Sequence, residues 1–107
     1  MSVPDRIGEF EELLLLGMRA LGDDTYGVPV QKYLSQAIGR PVSMGAVYAT
    51  LDRLEQKGLV RSAVGEATAE RGGKRKRLYS VTPLGVRAVR HTRQVRERLW
   101  RAIEGSE

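Results

Sequence analysis

The sequence predicts a mainly α chain with one small β-hairpin: a winged helix-turn-helix followed by a single long C-terminal helix. Three observations carry that expectation. Apolar residues recur at helical spacing in three successive stretches, each closed by a glycine. Two short β-type runs follow, separated by an eleven-residue stretch rich in glycine and basic residues. A threonine-proline pair then opens a last helical stretch.

The first helix is expected from about Asp5 to Leu21. Ile7, Phe10, Leu14, Met18 and Leu21 repeat on one face, Leu13 widens the stripe, and Gly22-Asp23-Asp24 breaks it. Thr25 is a candidate cap for a second helix, from Tyr26 to about Ile38, with Pro29 in its first turn. Val30, Leu34, Ala37 and Ile38 share a face, and Gly39 supplies a left-handed stop. Ser43 caps the third helix and Gly58 ends it, with Met44, Val47, Leu51 and Leu54 turned inward.

The hairpin strands are expected at Leu59 to Val64 and Lys76 to Thr82. In the second strand Leu78, Ser80 and Thr82 alternate against Arg77, Tyr79 and Val81. The intervening stretch is too long for a tight turn and, with the strand residue that follows it, carries four basic residues, Arg71, Lys74, Arg75 and Lys76, which makes the hairpin a wing with a basic tip. Thr82-Pro83 starts a helix that reaches about Glu104. The expected organisation is therefore a winged helix-turn-helix over residues 1–82 and a dimerisation helix over residues 83–107.

Composition narrows the function classes. A chain of 107 residues is one domain with a small core, for which a partner subunit is an asset. It has no cysteine, so disulfides and thiolate metal sites are excluded, as suits a cytoplasmic protein. The apolar run Leu13 to Leu16 is too short to span a bilayer, and no signal peptide precedes it. Residues 1–70 hold seven Lys and Arg against ten Asp and Glu, whereas residues 71–107 hold eleven against three. That polarity, within a net charge of +5, points to a polyanionic partner; a solubilising basic tail is the bland alternative.

No catalytic or cofactor chemistry is expected. The single histidine, His91, has no cysteine or carboxylate cluster beside it, and Ser43 has no base to activate it. Gly72-Gly73-Lys74-Arg75 lacks the spacing and the following helix of a phosphate-binding loop. Glu9, Glu11 and Glu12 read as a solvated or salt-bridged face, pairing with the arginines of the last helix.

What remains is groove recognition. The outward face of the third helix is expected to be Ala46, Ala49, Thr50, Arg53 and Lys57. Small residues let the backbone approach base edges, and the Thr50 methyl suits a thymine methyl. Ser43 and the open N–H groups beside it suit a phosphate, and Arg53 and Lys57 are placed to hold the backbone. Tyr48 lies on the flank, either against a sugar or half-buried with a wet hydroxyl. The wing adds Arg71, Lys74, Arg75, Lys76 and Arg77, although alternation places Lys76 and Arg77 on opposite strand faces. A second class of reading is a winged-helix protein-interaction module. It calls for large exposed apolar residues on the third helix, and the residues assigned there are small or basic.

The segments Leu21-Gly22-Asp23-Asp24-Thr25-Tyr26-Gly27-Val28, Val42 to Val60, and Gly65-Glu66, Glu70-Arg71-Gly72-Gly73 and Arg77 to Gly85 resemble, in order and spacing, those of PadR-type regulators. The resemblance implies a winged-helix fold and a homodimeric transcription factor on double-stranded DNA, usually a repressor released by an effector. It implies DNA contacts from Ser43, Met44, Gly45, Tyr48 and their neighbours, from Tyr26 and Gly27, and from the wing with Gly72 and Gly73. Tyr26 reads equally as a core residue, and Gly27 and Gly45 as aids to close helix packing. A single helix after the wing resembles the short branch of that family. Pairing then falls to Ala88, Thr92, Val95, Leu99 and Ala102, a coiled-coil-like seam flanked by Val89, Trp100 and Ile103. The partner's first helix, through Phe10 and Leu14, is a further cover. Trp100 is either a packing anchor of the dimer or the floor of a site for a flat aromatic effector.

Overall fold

The computed structural model describes residues 7–65 and 76–105. Helices α1 (Glu9–Leu21), α2 (Gly27–Ile38) and α3 (Met44–Gln56) precede the strands β1 (Val60–Val64) and β2 (Arg77–Val81), and α4 (Pro83–Glu104) ends the chain. The architecture is mainly helical with one antiparallel hairpin, as the sequence predicts.

Local chemistry sets most boundaries. The Gly8 amide donates to the Glu11 carboxylate at 2.6 Å, and Glu9, Glu11 and Glu12 place negative charge at the positive end of α1. The Ser43 hydroxyl accepts from the Ala46 amide at 3.0 Å, which satisfies one open donor of α3. Gly39 at φ +85° and Gly58 at φ +77° take the left-handed conformation that stops α2 and α3. α1 starts at Glu9, later than expected, and Asp5 lies outside the described residues.

Thr25 is a correction. It does not cap α2, whose N-cap is Tyr26 without a side-chain bond. Instead its backbone pairs with that of Tyr79 in both directions, at 3.1 and 2.6 Å, so the α1–α2 loop lies along the free edge of β2. Asp24, beside it, donates its amide to the Ser80 hydroxyl at 2.9 Å. This cover explains a second departure. The expected alternation of β2 is lost because Tyr79, Ser80 and Val81 are all buried, the core taking one face and the loop sheltering the other.

The hairpin pairs Val60 with Val81 and Val64 with Arg77, and the Gly65 amide extends the ladder to the Lys76 carbonyl at 2.7 Å. One core joins all the elements: Leu14, Leu15 and Met18 of α1, Val30 and Leu34 of α2, Val47, Leu51 and Leu54 of α3, Tyr79 and Val81 of the hairpin, and Ala88 and Val89 of α4.

Thr82 is the joint between the hairpin and α4. Its hydroxyl accepts from the Gly85 amide at 3.1 Å and donates to the Gly58 carbonyl at 2.7 Å, while its amide donates to the Leu59 carbonyl at 3.0 Å. The hairpin and α4 thus pack continuously through Thr82. Of the residues expected in the pairing seam, Leu14 is fully buried and Ala88 is 2% exposed in the chain's own core, with Phe10 packed half-buried against it. Leu14 and Ala88 are thus already covered within the chain, whereas Phe10 keeps part of its surface open. Beyond Thr92 and Val95, both half-buried, α4 projects and exposes Leu99, Trp100 and Ile103 by about three-fifths each. Ala102 lies on this exposed part.

Candidate nucleic-acid interface

α3 is placed by Val47, Leu51 and Leu54, each fully buried. These positions set its rotation, and the exposed stripe opposite them is Gly45, Ala49, Asp52 and Gln56. Ala46 and Arg53 border it on one side and Tyr48 and Glu55 on the other, all exposed. The expected outward face is therefore rotated away from the observed one. Thr50 is 2% exposed, with its hydroxyl accepting from the Arg53 guanidinium at 3.0 Å. A threonine suits the inside here because its methyl packs and its hydroxyl finds a partner in the next turn. Met44 is half-buried at the start of the helix. Asp52 and Gln56 are additions to the expected set; counting the stripe opposite Val47, Leu51 and Leu54 finds both.

Gly45 meets open space: a Cβ built there has no neighbour within 4 Å. Its missing side chain serves no helix packing, which leaves the α3 backbone accessible at its first turn. Gly27 is the reverse case. It is buried, and a Cβ there would stand 2.6 Å from the Tyr48 hydroxyl oxygen and 2.7 Å from Cζ. Gly27 thus seats the Tyr48 ring, and Tyr48 stays 43% exposed on that seat. Tyr26 is half-buried, with the Lys76 ammonium 4.0 Å from its ring centroid. That contact ties the root of the wing to the start of α2.

Arg77, at the start of β2, is exposed and donates to the Ser62 hydroxyl at 2.8 Å, which in turn donates to the Glu55 carboxylate at 2.6 Å. This chain links the hairpin to the outer half of α3. The expected wing contacts Arg71, Gly72, Gly73, Lys74 and Arg75 lie outside the described residues.

The two basic residues expected to hold the backbone are engaged within the chain. Lys57 Nζ bonds both oxygens of Glu11, at 2.8 and 2.9 Å, and Arg53 Nε lies 3.8 Å from the same carboxylate. Glu11 is itself only 5% exposed. The sequence puts Glu11 on a face that is solvated or paired with the last helix; the structure turns it toward α3 and gives the α4 pairing to Glu12, which accepts from Arg96 at 2.8 Å.

Burial alone would push the Glu11 carboxyl up. The hydrogen bonds from Lys57 and the Gly8 amide, with the Lys57 and Arg53 charges, outweigh it and hold the group below its usual 4.5. A carboxyl lowered by folding contributes stability that is complete above the unfolded-state value and is lost as pH falls through the folded one. Urea unfolding of the wild type is expected to weaken on that acid limb. Glu11→Gln is expected to flatten the limb and to lower stability at pH 7 by about 1–2 kcal/mol, discounted for the solvent around Lys57 and Arg53. An acid limb unchanged in the variant would remove Glu11 as its source.

Among the described residues no group of three or more His, Cys, Asp and Glu side chains is placed to hold a metal ion. None of the described helices is long and apolar enough to cross a membrane.

The Transcriptional regulator PadR-like family matches the chain over residues 15–91. No curated protein matches it. Among solved structures, a PadR-like transcription factor from Bacteroides fragilis superposes with a TM-score of 0.75 at 20% identity, covering 92% of this chain and 89% of that one. A PadR family regulator from Eggerthella lenta gives 0.70 at 24% identity, over 91% and 84% of the two chains. BpsR of Bordetella bronchiseptica, whose DNA binding is regulated by 6-hydroxynicotinic acid, gives 0.65 at 24% identity, over 94% and 67%. At these identities the structural likeness carries the fold.

Proposed function

The chain belongs to the PadR-like family of transcriptional regulators, and from that premise we propose that it is a cytoplasmic homodimeric repressor that reads an inverted repeat in double-stranded DNA. The family is one of regulators and not of enzymes. One observation carries the reading: the first turns of α3 present Gly45, Ala46 and Ala49 with no bulky side chain, and Gly45 stands in open space. That is the surface a helix needs to bring its backbone to base edges. Ser43 and the N–H groups beside it take a phosphate, and Tyr48, fixed over Gly27, lies against the sugar-phosphate backbone. The basic wing, Arg71 to Lys76, supplies most of the charge on phosphates. Two α3 helices in successive major grooves set half-sites about one turn, ~34 Å, apart.

Pairing uses the projecting half of α4, whose exposed Leu99, Trp100 and Ile103 form a surface that a second copy covers. A small-molecule effector enters the cleft of about 390 Å³ between α1 and α4, lined by Leu16, Val89, Arg93, Arg96 and Trp100 among others. Apolar walls there suit a flat compound, and the Arg93 and Arg96 guanidinium groups beside them pair with Glu97 and Glu12, which also line the cleft.

The test is selection from a pool of random duplexes, with sequencing of the bound fraction. The expected result is a palindromic motif whose half-sites lie one turn apart. Recovery of sequence-independent, salt-labile binding alone would overturn the repressor reading.

A further inference from the structure

The Glu11 carboxylate stands between α1 and the C-terminal half of α3 and engages both cations on that flank. Lys57 bonds it through both oxygens, Arg53 lies beside it, and the amide of Gly8, the N-cap of α1, fixes its position. Lys57 and Arg53 retain side-chain exposures of 37% and 55%, so each is an ion at the surface with a buried counter-ion beneath.

Cations that neutralise phosphate give grip on any sequence, because the gain is the release of counter-ions and carries no base information. A protein that must find one site among many gains selectivity when the helix at the bases contributes little of this grip. We propose that Glu11 is a specificity-determining residue that withholds Lys57 and Arg53 from phosphate, leaving α3 to read bases while the wing supplies the charge. The inference rests on the DNA-reading role of α3 and adds to it the regulation of non-specific affinity from α1. Neither Lys57 nor Arg53 is then a phosphate contact in the wild type, although Arg53 stands on α3 and Lys57 is its C-cap.

The experiment measures the salt dependence of binding to a random-sequence duplex and to the selected operator, for wild type, Glu11→Gln, Glu12→Gln and Lys57→Gln. Far-ultraviolet circular dichroism checks the fold of each variant. Glu11→Gln releases Lys57 and Arg53 from the carboxylate. Its plot of log affinity against log salt on the random duplex is expected to steepen by about one to two, at about 0.9 per phosphate gained. Random-duplex affinity then rises by roughly tenfold per contact at 0.1 M salt, and the ratio of operator to random-duplex affinity falls. Glu12→Gln makes the same change in net charge on the α4 side of α1, where the partner is Arg96. Its slope is expected to stay at the wild-type value. Lys57→Gln is expected to leave the wild-type slope in place too, since a cation already paired contributes nothing to lose.

An unchanged slope in Glu11→Gln, or an equal change in Glu12→Gln, overturns the proposal. If Glu11→Gln does not fold, Lys57→Gln decides alone: a slope flattened by about one makes Lys57 a phosphate contact and ends the proposal. A wild type without sequence preference fails the DNA-reading role itself and is recognisable before any variant is compared.

Discussion

Gly85→Ala is expected to destabilise the fold by about 3 kcal/mol, the upper end for overpacking and a large share of a small domain's stability. Gly85 lies in the first turn of α4, buried against the hairpin. A Cβ there would run into the Leu59 carbonyl oxygen and stand 2.7 Å from Val81 Cγ1. The carbonyl cannot step aside cheaply, because it already accepts from the Thr82 amide. Moving it opens the joint that starts α4. Gly45→Ala is the contrast. With open space around it and a helical position, that change should raise stability by up to about 1 kcal/mol, while the added methyl stands where bases are approached and lowers operator affinity. Urea unfolding of the two variants, with operator titration of the second, checks both. A Gly85→Ala protein as stable as wild type would show that the α4–hairpin contact yields.

The second large effect concerns assembly. Leu99→Glu with Ile103→Glu is expected to leave each subunit folded, halve the sedimenting mass and weaken operator binding at least a hundredfold. The fold survives because both residues are about three-fifths exposed and far from the core. The mass falls because four carboxylates would be brought into one apolar contact between the two copies. Affinity falls because joining two reading heads multiplies the strength of either alone by about 10²–10⁴. Analytical ultracentrifugation and operator titration read the two effects separately. A double variant that sediments like wild type places the interface elsewhere.

Much of the fold was legible from local chemistry. Ser43 and Thr82-Pro83 announce helix starts, and Gly39 and Gly58 announce stops, because each acts on atoms within its own turn. Thr25 was not legible: a hydroxyl residue before a helical stretch reads as a cap, and its real partner, Tyr79, lies far along the chain. α3 was legible as an element but not in its rotation. Val47, Leu51 and Leu54 fix the inner line, yet Thr50 and Lys57 fit either side on type alone. What decides is Arg53 for the first and Glu11 for the second, the latter a residue on another helix. The seam of α4 was legible as a period. Where it passes from the chain's own core to open surface was not, since Ala88 and Leu99 obey the same spacing and differ only in what α1 covers.

The Thr82 joint has a consequence for operator geometry. One threonine caps α4, bonds the residue that ends α3 and fixes the start of β1. In the homodimer proposed above, this joint would keep each α3 at a set distance and phase from the α4 that pairs with its copy. Inserting one base pair at the centre of an operator turns one half-site by about 34–36° and moves it ~3.4 Å along the axis. A swivelling tether would absorb that change; a three-bond joint passes it to the grooves as misfit. On that proposal the protein would gauge spacing as much as read sequence.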